Sequence, residues 1–571
     1  MDDFSTFSVP QPTYAELQSR YKVIIDDLTL ALNGNDDSLD ENSPDEVRAA
    51  SAIRDWDILR REIQTWANLT EVRFDQDTTN ADFKAALEYR DELSPKITSL
   101  DVQIQKLLVE SELREQLEAV YGPQAFALWE KEINSFDPVI EDDLVQESKL
   151  SAKYNELLAS AEFSFKDETY NLSSITQFTE DADRETRYET SKLTWGWFAE
   201  QQEELDTTYD QMVKLRHGMA KKLGYNNFVE LGYQRMARID YDQHDVERYR
   251  EEVRTQVVPL CNEIHKLQAG QLRLDKLMFW DQAMFSSQGN PRPQGTYEEQ
   301  IAAAQAMFDN MGESLGGFFR LMQEKNLMDL KNRPGKAGGG FCTDLGSEDL
   351  PFIFANFNGT KGDVEVFSHE MGHAFQCYSS MDQPLYDYVW PTYESCEIHS
   401  MSLEFLTWPE MERFFGDQAE QFRRVHLMGS LLFLPYGVAI DHFQHLVYAE
   451  PDASPARRHA MWQEVEALYL ADVDYGDLPH VSSGGRWQQK RHIYMSPFYY
   501  IDYTLAQCCA LQFWVRSRQD FGLAMTDYIE LCQRGGTLPF QQLTQSAGLK
   551  SPFEPGSLQE VVTHAREYLG L

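Results

Sequence analysis

His369-Glu370-Met371-Gly372-His373 lies between Val364-Glu365-Val366-Phe367-Ser368 and Ala374-Phe375-Gln376-Cys377, a run apolar enough to form a largely buried helix. In a helix, residues four apart stack on one face, one turn above the other. Two imidazoles placed this way can grip one Zn²⁺, with the carboxylate of Glu370 beside them to handle a proton. The alternative is a solvated helix face with two histidines and no metal. The apolar flanks argue against it, because buried His and Glu need partners and a metal is a good one. Asp363, just ahead of the apolar run, is the expected N-cap.

A catalytic zinc takes a third protein ligand and keeps one position open for water. The continuation H-E-x-x-H-x-x-G-x-x-H would supply that ligand locally, but Gln376 stands where its glycine should be and Ser379 where its third His should be. The ligand therefore comes from elsewhere. The next dense set of candidates, Tyr393-Glu394-Ser395-Cys396-Glu397-Ile398-His399-Ser400-Met401-Ser402-Leu403-Glu404, reads as a second helix that a helix-turn-helix return would bring beside the first. Glu397 and Glu404 are seven apart and can face one way. Spacing alone does not choose among Glu394, Glu397 and His399.

Upstream, Pro334-Gly335-Lys336-Ala337-Gly338-Gly339-Gly340 is a flexible loop, either a connector or a place where backbone approaches a ligand closely. Pro351-Phe352-Ile353-Phe354-Ala355-Asn356-Phe357-Asn358 alternates like a strand, turns at Asn358-Gly359 and leads into the H-E-x-x-H helix. Such a strand is either ordinary sheet or an edge that holds an extended peptide by main-chain hydrogen bonds. On the second reading Gly339, Gly340, Asn356, Phe357 and Asn358 are candidate substrate contacts. The rest of the chain reads mainly as helix, over 12–33, then from a second start at Ser43-Pro44-Asp45-Glu46 after an acidic break at 33–42, and over 79–121, 141–160, 181–222 and 243–273. Residues 162–170 alternate around a turn, as in a small hairpin. No fixed-period repeat is present.

The formal net charge of −42 over 571 residues argues against nucleic acid as a partner, since phosphate binding needs a basic surface, and against an acidic membrane surface. The first residues lack the basic and apolar regions of a signal peptide, and no apolar run is long enough to span a membrane. Seven cysteines, an odd and small number without C-x-x-C, fit reduced thiols and a cytoplasmic setting. Cys508-Cys509, in an apolar helical stretch, reads as core.

With its second His followed 24 residues later by Glu397-Ile398-His399-Ser400-Met401-Ser402-Leu403-Glu404, the sequence resembles the thimet oligopeptidase and oligoendopeptidase F family, whose pattern after H-E-x-G-H is E-x-x-S-x-x-x-E. The resemblance implies His369, His373 and Glu397 as ligands of one Zn²⁺ per chain, Glu404 as the group that orients an imidazole, and His399 as a neighbour. His492-Ile493-Tyr494-Met495-Ser496-Pro497-Phe498-Tyr499-Tyr500-Ile501-Asp502-Tyr503 resembles the family's late His and Tyr cluster, one residue shorter between the His and the tyrosines. Carried over, Tyr500 and Tyr503 face the scissile carbonyl, His492 assists, and Tyr499 is a further substrate-binding candidate. Residues 338–343, 356–360 and 432–437 also look like the oligoendopeptidase F branch, and the likeness extends over essentially the whole chain.

The family fold is mainly α, a two-lobed helical body around a deep substrate channel, with a small β-sheet next to the metal-binding helix. On this chain it implies an N-terminal lobe over 1–190 and a catalytic domain over 191–571. The implied activity is zinc-dependent hydrolysis of internal bonds in short unfolded peptides, with Glu370 as general base. Two rivals remain: an exopeptidase of the same family, either a dipeptidyl carboxypeptidase or an aminopeptidase, and a metalloprotein that binds peptides without cutting them. An exopeptidase needs a charged group that recognises a peptide terminus, and no motif nominates one. Oligomeric state has no signature in the sequence.

Overall fold

The computed structural model describes residues 1–33 and 45–571. The expected acidic break and the cap at Ser43-Pro44 lie outside the described residues. The fold is mainly helical, with five strands in two small sheets among the described residues. Long helices occupy Tyr14–Asn33, Asp45–Gln76, Ala81–Val109, Glu141–Ala159, Arg184–Glu200 and Gln202–Lys222. The stretch expected as one helix over 79–121 is two, Ala81–Val109 and Arg114–Tyr121. The 243–273 stretch is broken at Val253–Val257 by a turn of π-helix, next to Pro259, whose missing N–H interrupts the regular ladder. No helix among the described residues is long and apolar enough to cross a membrane.

Among the described residues two large hydrophobic cores stand beside two small clusters, around Phe163 and around Met381. Leu17, Tyr21, Trp56, Trp66, Phe126 and Trp129 belong to the smaller core, built by the N-terminal helices and joined by Leu385 and Tyr388 from far along the chain. The larger takes in the remaining helices, including Leu150, Tyr154 and Leu158 of Glu141–Ala159. Polar contacts at the joint reinforce the packing: Arg60 pairs with Asp387 at 2.6 Å, and the Trp129 indole donates to the same carboxylate at 3.0 Å.

Phe163–Phe165 and Glu168–Tyr170 form the antiparallel hairpin. Lys166 and Asp167 both take positive φ at its turn, the geometry that matches the strands' right-handed twist. The second sheet has three strands, Met328–Lys331, Phe341–Leu345 and Leu350–Phe357. Leu350–Phe357 is central, parallel to the first and antiparallel to the second. Both edges of this strand are occupied within the sheet, and the sheet's two outer edges belong to Met328–Lys331 and Phe341–Leu345.

The strand hands the chain to the helix Gly362–Ser379 through a tight loop. Asp363 is not the N-cap expected from its position. It sits in the first helical turn, and its carboxylate accepts from the backbone N–H groups of Asn358 at 2.8 Å and Gly359 at 2.7 Å. Asp363 thus pins the turn before the helix, because those N–H groups point back at it.

Candidate active site

His369 and His373 project from Gly362–Ser379 toward Glu397 on the helix Tyr393–Leu406. The two helices touch at glycine: a Cβ on Gly372 would stand 2.6 Å from the carbonyl oxygen of His399 and 2.6 Å from Cα of Ser400. Only hydrogen at this position lets the backbones come this close. Nε2 of His369 and Nε2 of His373 each lie 3.3 Å from the same oxygen, Oε2 of Glu397. Among the described residues these three form the one group of His, Cys, Asp or Glu whose ligand atoms all lie within 4.8 Å of one another.

The donor set fits zinc. Ligands about 2.0–2.2 Å from a tetrahedral centre lie roughly 3.3–3.6 Å from each other, while direct N–H···O bonds are normally about 2.7–3.2 Å. The observed 3.3 Å matches the first case. The surroundings orient two of the three, His369 and Glu397, while Nδ1 of His373 has no protein partner. His369 donates through Nδ1 to Glu404 at 2.8 Å, which turns Nε2 toward Glu397. Glu404 in turn accepts from Nε2 of His426 at 2.7 Å, and the Trp408 indole donates to Nδ1 of His426 at 3.0 Å. Glu397 accepts from Tyr499 at 2.7 Å through Oε1 and from Ser400 at 3.1 Å through Oε2.

The electrostatics follow from burial and these partners. Burial opposes ionisation of Glu397 and Glu404, yet the neighbouring imidazoles prevail, holding Glu397 well below the usual carboxylate range and Glu404 at about 2. Burial likewise opposes a charge on His369, but Glu397 and Glu404 raise it well above an ordinary histidine. The site holds two ionised carboxylates prepared for a cation. Glu370, 5% exposed, behaves differently: burial raises it, with His369 and His373 opposing, and its Oε2 has no protein partner. A raised carboxylate with an unused oxygen is suited to take up and return a proton.

The site opens on a cleft of about 880 Å³. One wall is the free edge of Phe341–Leu345 with Gly340, and the N-terminal helices contribute Asn68, Glu71 and Glu132 to the lining. Asn68 clamps the edge strand by donating to the carbonyl oxygen of Asp344 at 2.8 Å, while Trp390 and Tyr386 both donate to that residue's carboxylate at 2.9 Å. Gly340 packs against Glu370: a Cβ here would meet its Oε1 at 3.3 Å and Val366 at 3.1 Å.

The remaining sequence candidates are distributed as follows. Gly339 takes positive φ, and its carbonyl oxygen, with that of Ala337, is held at 2.8 Å by the amide of Asn356. Asn356 therefore braces the glycine loop rather than facing the cleft. Phe357 packs against Tyr297 and Phe367, and Asn358 closes on Thr360, so neither side chain lines the cleft. His399 is fully buried behind the site, with burial holding it down at about 4. Tyr499 and Tyr503 line the cleft with the two histidines, Glu370 and Glu397. Tyr500 lies one position round the helix Tyr500–Gln519, its hydroxyl accepting from Lys490 at 3.1 Å. His492 is 3.5 Å from the Tyr503 hydroxyl and is held at about 4 by burial and by Lys490, so it is neutral near pH 7. His426, Trp390 and Asn68 escaped sequence reasoning: each lies far along the chain from the group it contacts, and no local pattern marks it.

Fold and site together define a helical metallopeptidase. Comparison with known proteins narrows the class. The model for peptidase family M3 matches residues 177–563, and that for the peptidase M3 N-terminal domain matches 4–136. The chain is similar along its full length to three solved structures: one described provisionally as oligoendopeptidase F (42% identity, TM-score 0.94, 100% of this chain and 99% of that one); PZ peptidase A with an inhibitor (40%, 0.94, 100% and 99%); and a provisional oligoendopeptidase F from Bacillus anthracis str. Ames (39%, 0.90, 100% and 98%). No curated protein matches the sequence. The chain belongs to peptidase family M3, in its oligoendopeptidase F branch.

Proposed function

We propose that this metallopeptidase is a zinc-dependent endopeptidase that hydrolyses internal bonds of short, unfolded peptides. The observation that carries the reading is the convergence of His369, His373 and Glu397 beside Glu370, which has an unused carboxylate oxygen, in a cleft walled by an unpaired strand edge. His369, His373 and Glu397 would hold the ion. When bound, zinc supplies Lewis acidity, polarising a carbonyl and acidifying water toward neutral pH.

The protein's own groups do the rest. The free edge of Phe341–Leu345 aligns an extended peptide by main-chain hydrogen bonds. Glu370 takes a proton from the attacking water on its free oxygen and returns it to the leaving amine. The Tyr503 hydroxyl donates to the carbonyl oxygen as negative charge gathers there, an interaction worth about 3–4 kcal/mol in comparable sites. Tyr499 and Ser400 hold Glu397 in register, and Glu404 holds His369. The N-terminal helices that form the opposite wall support a size limit, because a folded protein cannot present an extended strand between two walls. The seven free thiols support a reducing, cytoplasmic setting.

The test is a quenched fluorescent peptide blocked at both ends, assayed with and without a chelator and after zinc is restored, beside a stably folded protein. Chelator-sensitive cutting of the blocked peptide alone is expected. Cleavage that requires a free end reassigns the protein as an exopeptidase, and tight binding without cleavage makes it a binding protein.

A further inference from the structure

A second cavity, of about 420 Å³, opens on the other side of His369 and Tyr503 from the main cleft. Its walls are apolar at Met401, Val425 and Phe433 and carry two lysines, Lys361 and Lys490. Lys361 is neutralised by Glu365 at 2.9 Å. The cavity's other carboxylate, Glu404, is committed to His369 and His426. Lys490 is different. Among the described residues no carboxylate lies within ion-pair distance of it, and its ammonium rests 4.7 Å from the ring of Tyr500 and 5.3 Å from that of Tyr436.

The hydrogen-bond inventory is one-sided. An ammonium has three donors and no acceptor, and Lys490 uses one of them, toward the Tyr500 hydroxyl at 3.1 Å. That hydroxyl accepts from Lys490 and has its own hydrogen to give. Two N–H donors and one O–H donor thus share one corner of the cavity, with a positive charge that no carboxylate of the lining pairs. Half-buried charges are normally paired, and the missing partner here is an anion with several acceptor lone pairs.

We infer that Lys490 and Tyr500 form a subsite for a carboxylate of the substrate, on the part of the peptide lying beyond His369 and Tyr503 from the main cleft. This rests on the peptidase reading above. The carboxylate has two sources, the C-terminus of the peptide or an Asp or Glu side chain near it. In either case Lys490 is a specificity-determining residue that favours peptides carrying the carboxylate over those without it, a preference that leaves end-blocked peptides as substrates.

The experiment uses the full chain carrying Glu370→Gln, so that binding is read without turnover, and N-terminally fluorescein-labelled peptides followed by anisotropy. Three versions of one sequence are compared: free acid, C-terminal amide, and amide with a glutamate next to the end. The free acid is expected to bind about tenfold more tightly than the plain amide. Lys490→Met should erase that preference without weakening the amide, and Lys490→Arg should keep it. Recovery of affinity by the glutamate amide alone assigns the subsite to side chains. Equal affinity for all three peptides, or a preference that survives Lys490→Met, overturns the inference. Failure of all three peptides to bind instead counts against the peptidase reading.

Discussion

Replacing Gly372 by alanine adds one methyl group where the helices carrying His369, His373 and Glu397 meet. That carbon would stand 2.6 Å from both the His399 carbonyl oxygen and Ser400 Cα, and 3.0 Å from the His399 carbonyl carbon. Ordinary contact begins near 3.4 Å, so the Tyr393–Leu406 helix must retreat by about 0.8 Å. The obstacles are backbone atoms of a buried helix, which no rotamer change can clear, and overpacking of this kind costs roughly 1–3 kcal/mol. The same retreat carries Glu397 away from the two imidazoles by several times the roughly 0.2 Å tolerance of a metal–ligand distance. Gly372→Ala should therefore lose zinc to a chelator at concentrations the parent resists, and its metal-free form should unfold earlier. Gly218→Ala is the control. Gly218 lies inside Gln202–Lys222 with nothing within 4 Å of the added carbon, so the same exchange there should stabilise by about 0.5–1 kcal/mol. Metal content after dialysis and thermal melts of the apo proteins read both effects. Unchanged zinc retention and melting in Gly372→Ala would refute the close-contact argument.

Four further outcomes are expected. Glu370→Gln should retain stoichiometric zinc by metal analysis yet lose nearly all turnover; normal peptide cleavage by this variant removes Glu370 as the base. Glu397→Ala should strip zinc far more than Glu394→Ala, because Glu394 is paired with buried Arg238 at 3.2 Å and serves stability; the reverse order in dialysed samples reassigns the ligand. Tyr503→Phe should lower kcat by about 100-fold or more with little change in KM, whereas a loss confined to KM makes the hydroxyl a binding group. Burial and the neighbouring His459 hold His480 down at about 4 from 6.5, with Asp206 nearby opposing. The unfolded chain therefore binds more protons between those values, so this stability is present above pH 6.5 and is lost as pH falls toward 4. His480→Gln should flatten the slope of denaturation midpoint against pH in that window, and an unchanged slope counts against His480 as its source.

Much of the site was legible because helical geometry is local. Four-residue spacing places His369 and His373 on one face whatever surrounds them, and seven-residue spacing does the same for Glu397 and Glu404. The alternating segments at 162–170 and 351–358 became strands for the same kind of reason, since the period of two belongs to the backbone itself. Asp363 shows the limit even at short range. A polar residue ahead of an apolar run reads as a cap, but the Asn358-Gly359 turn offered its N–H groups first, and the helix began two residues earlier than that cap implies, with Lys361 as N-cap.

Beyond one element, the sequence is silent about which face meets which neighbour. Adjacent tyrosines point to different partners, Tyr499 to Glu397 and Tyr500 to Lys490, because one step along a helix turns a side chain by about 100°. Which of them reaches the His369, His373 and Glu397 group depends on how the helix is set against Tyr393–Leu406. The free strand edge, the N-terminal wall clamped through Asn68, the support of Glu404 by His426 and Trp408, and the unpaired charge of Lys490 arise the same way. Residues 369–404 thus determined by themselves a pair of histidines with Glu370 beside them and two further glutamates on fitting faces. Only the tertiary structure decided that these faces close on one another, since that closure depends on contacts such as Gly372 against His399, whose strength comes from packing and not from any local period.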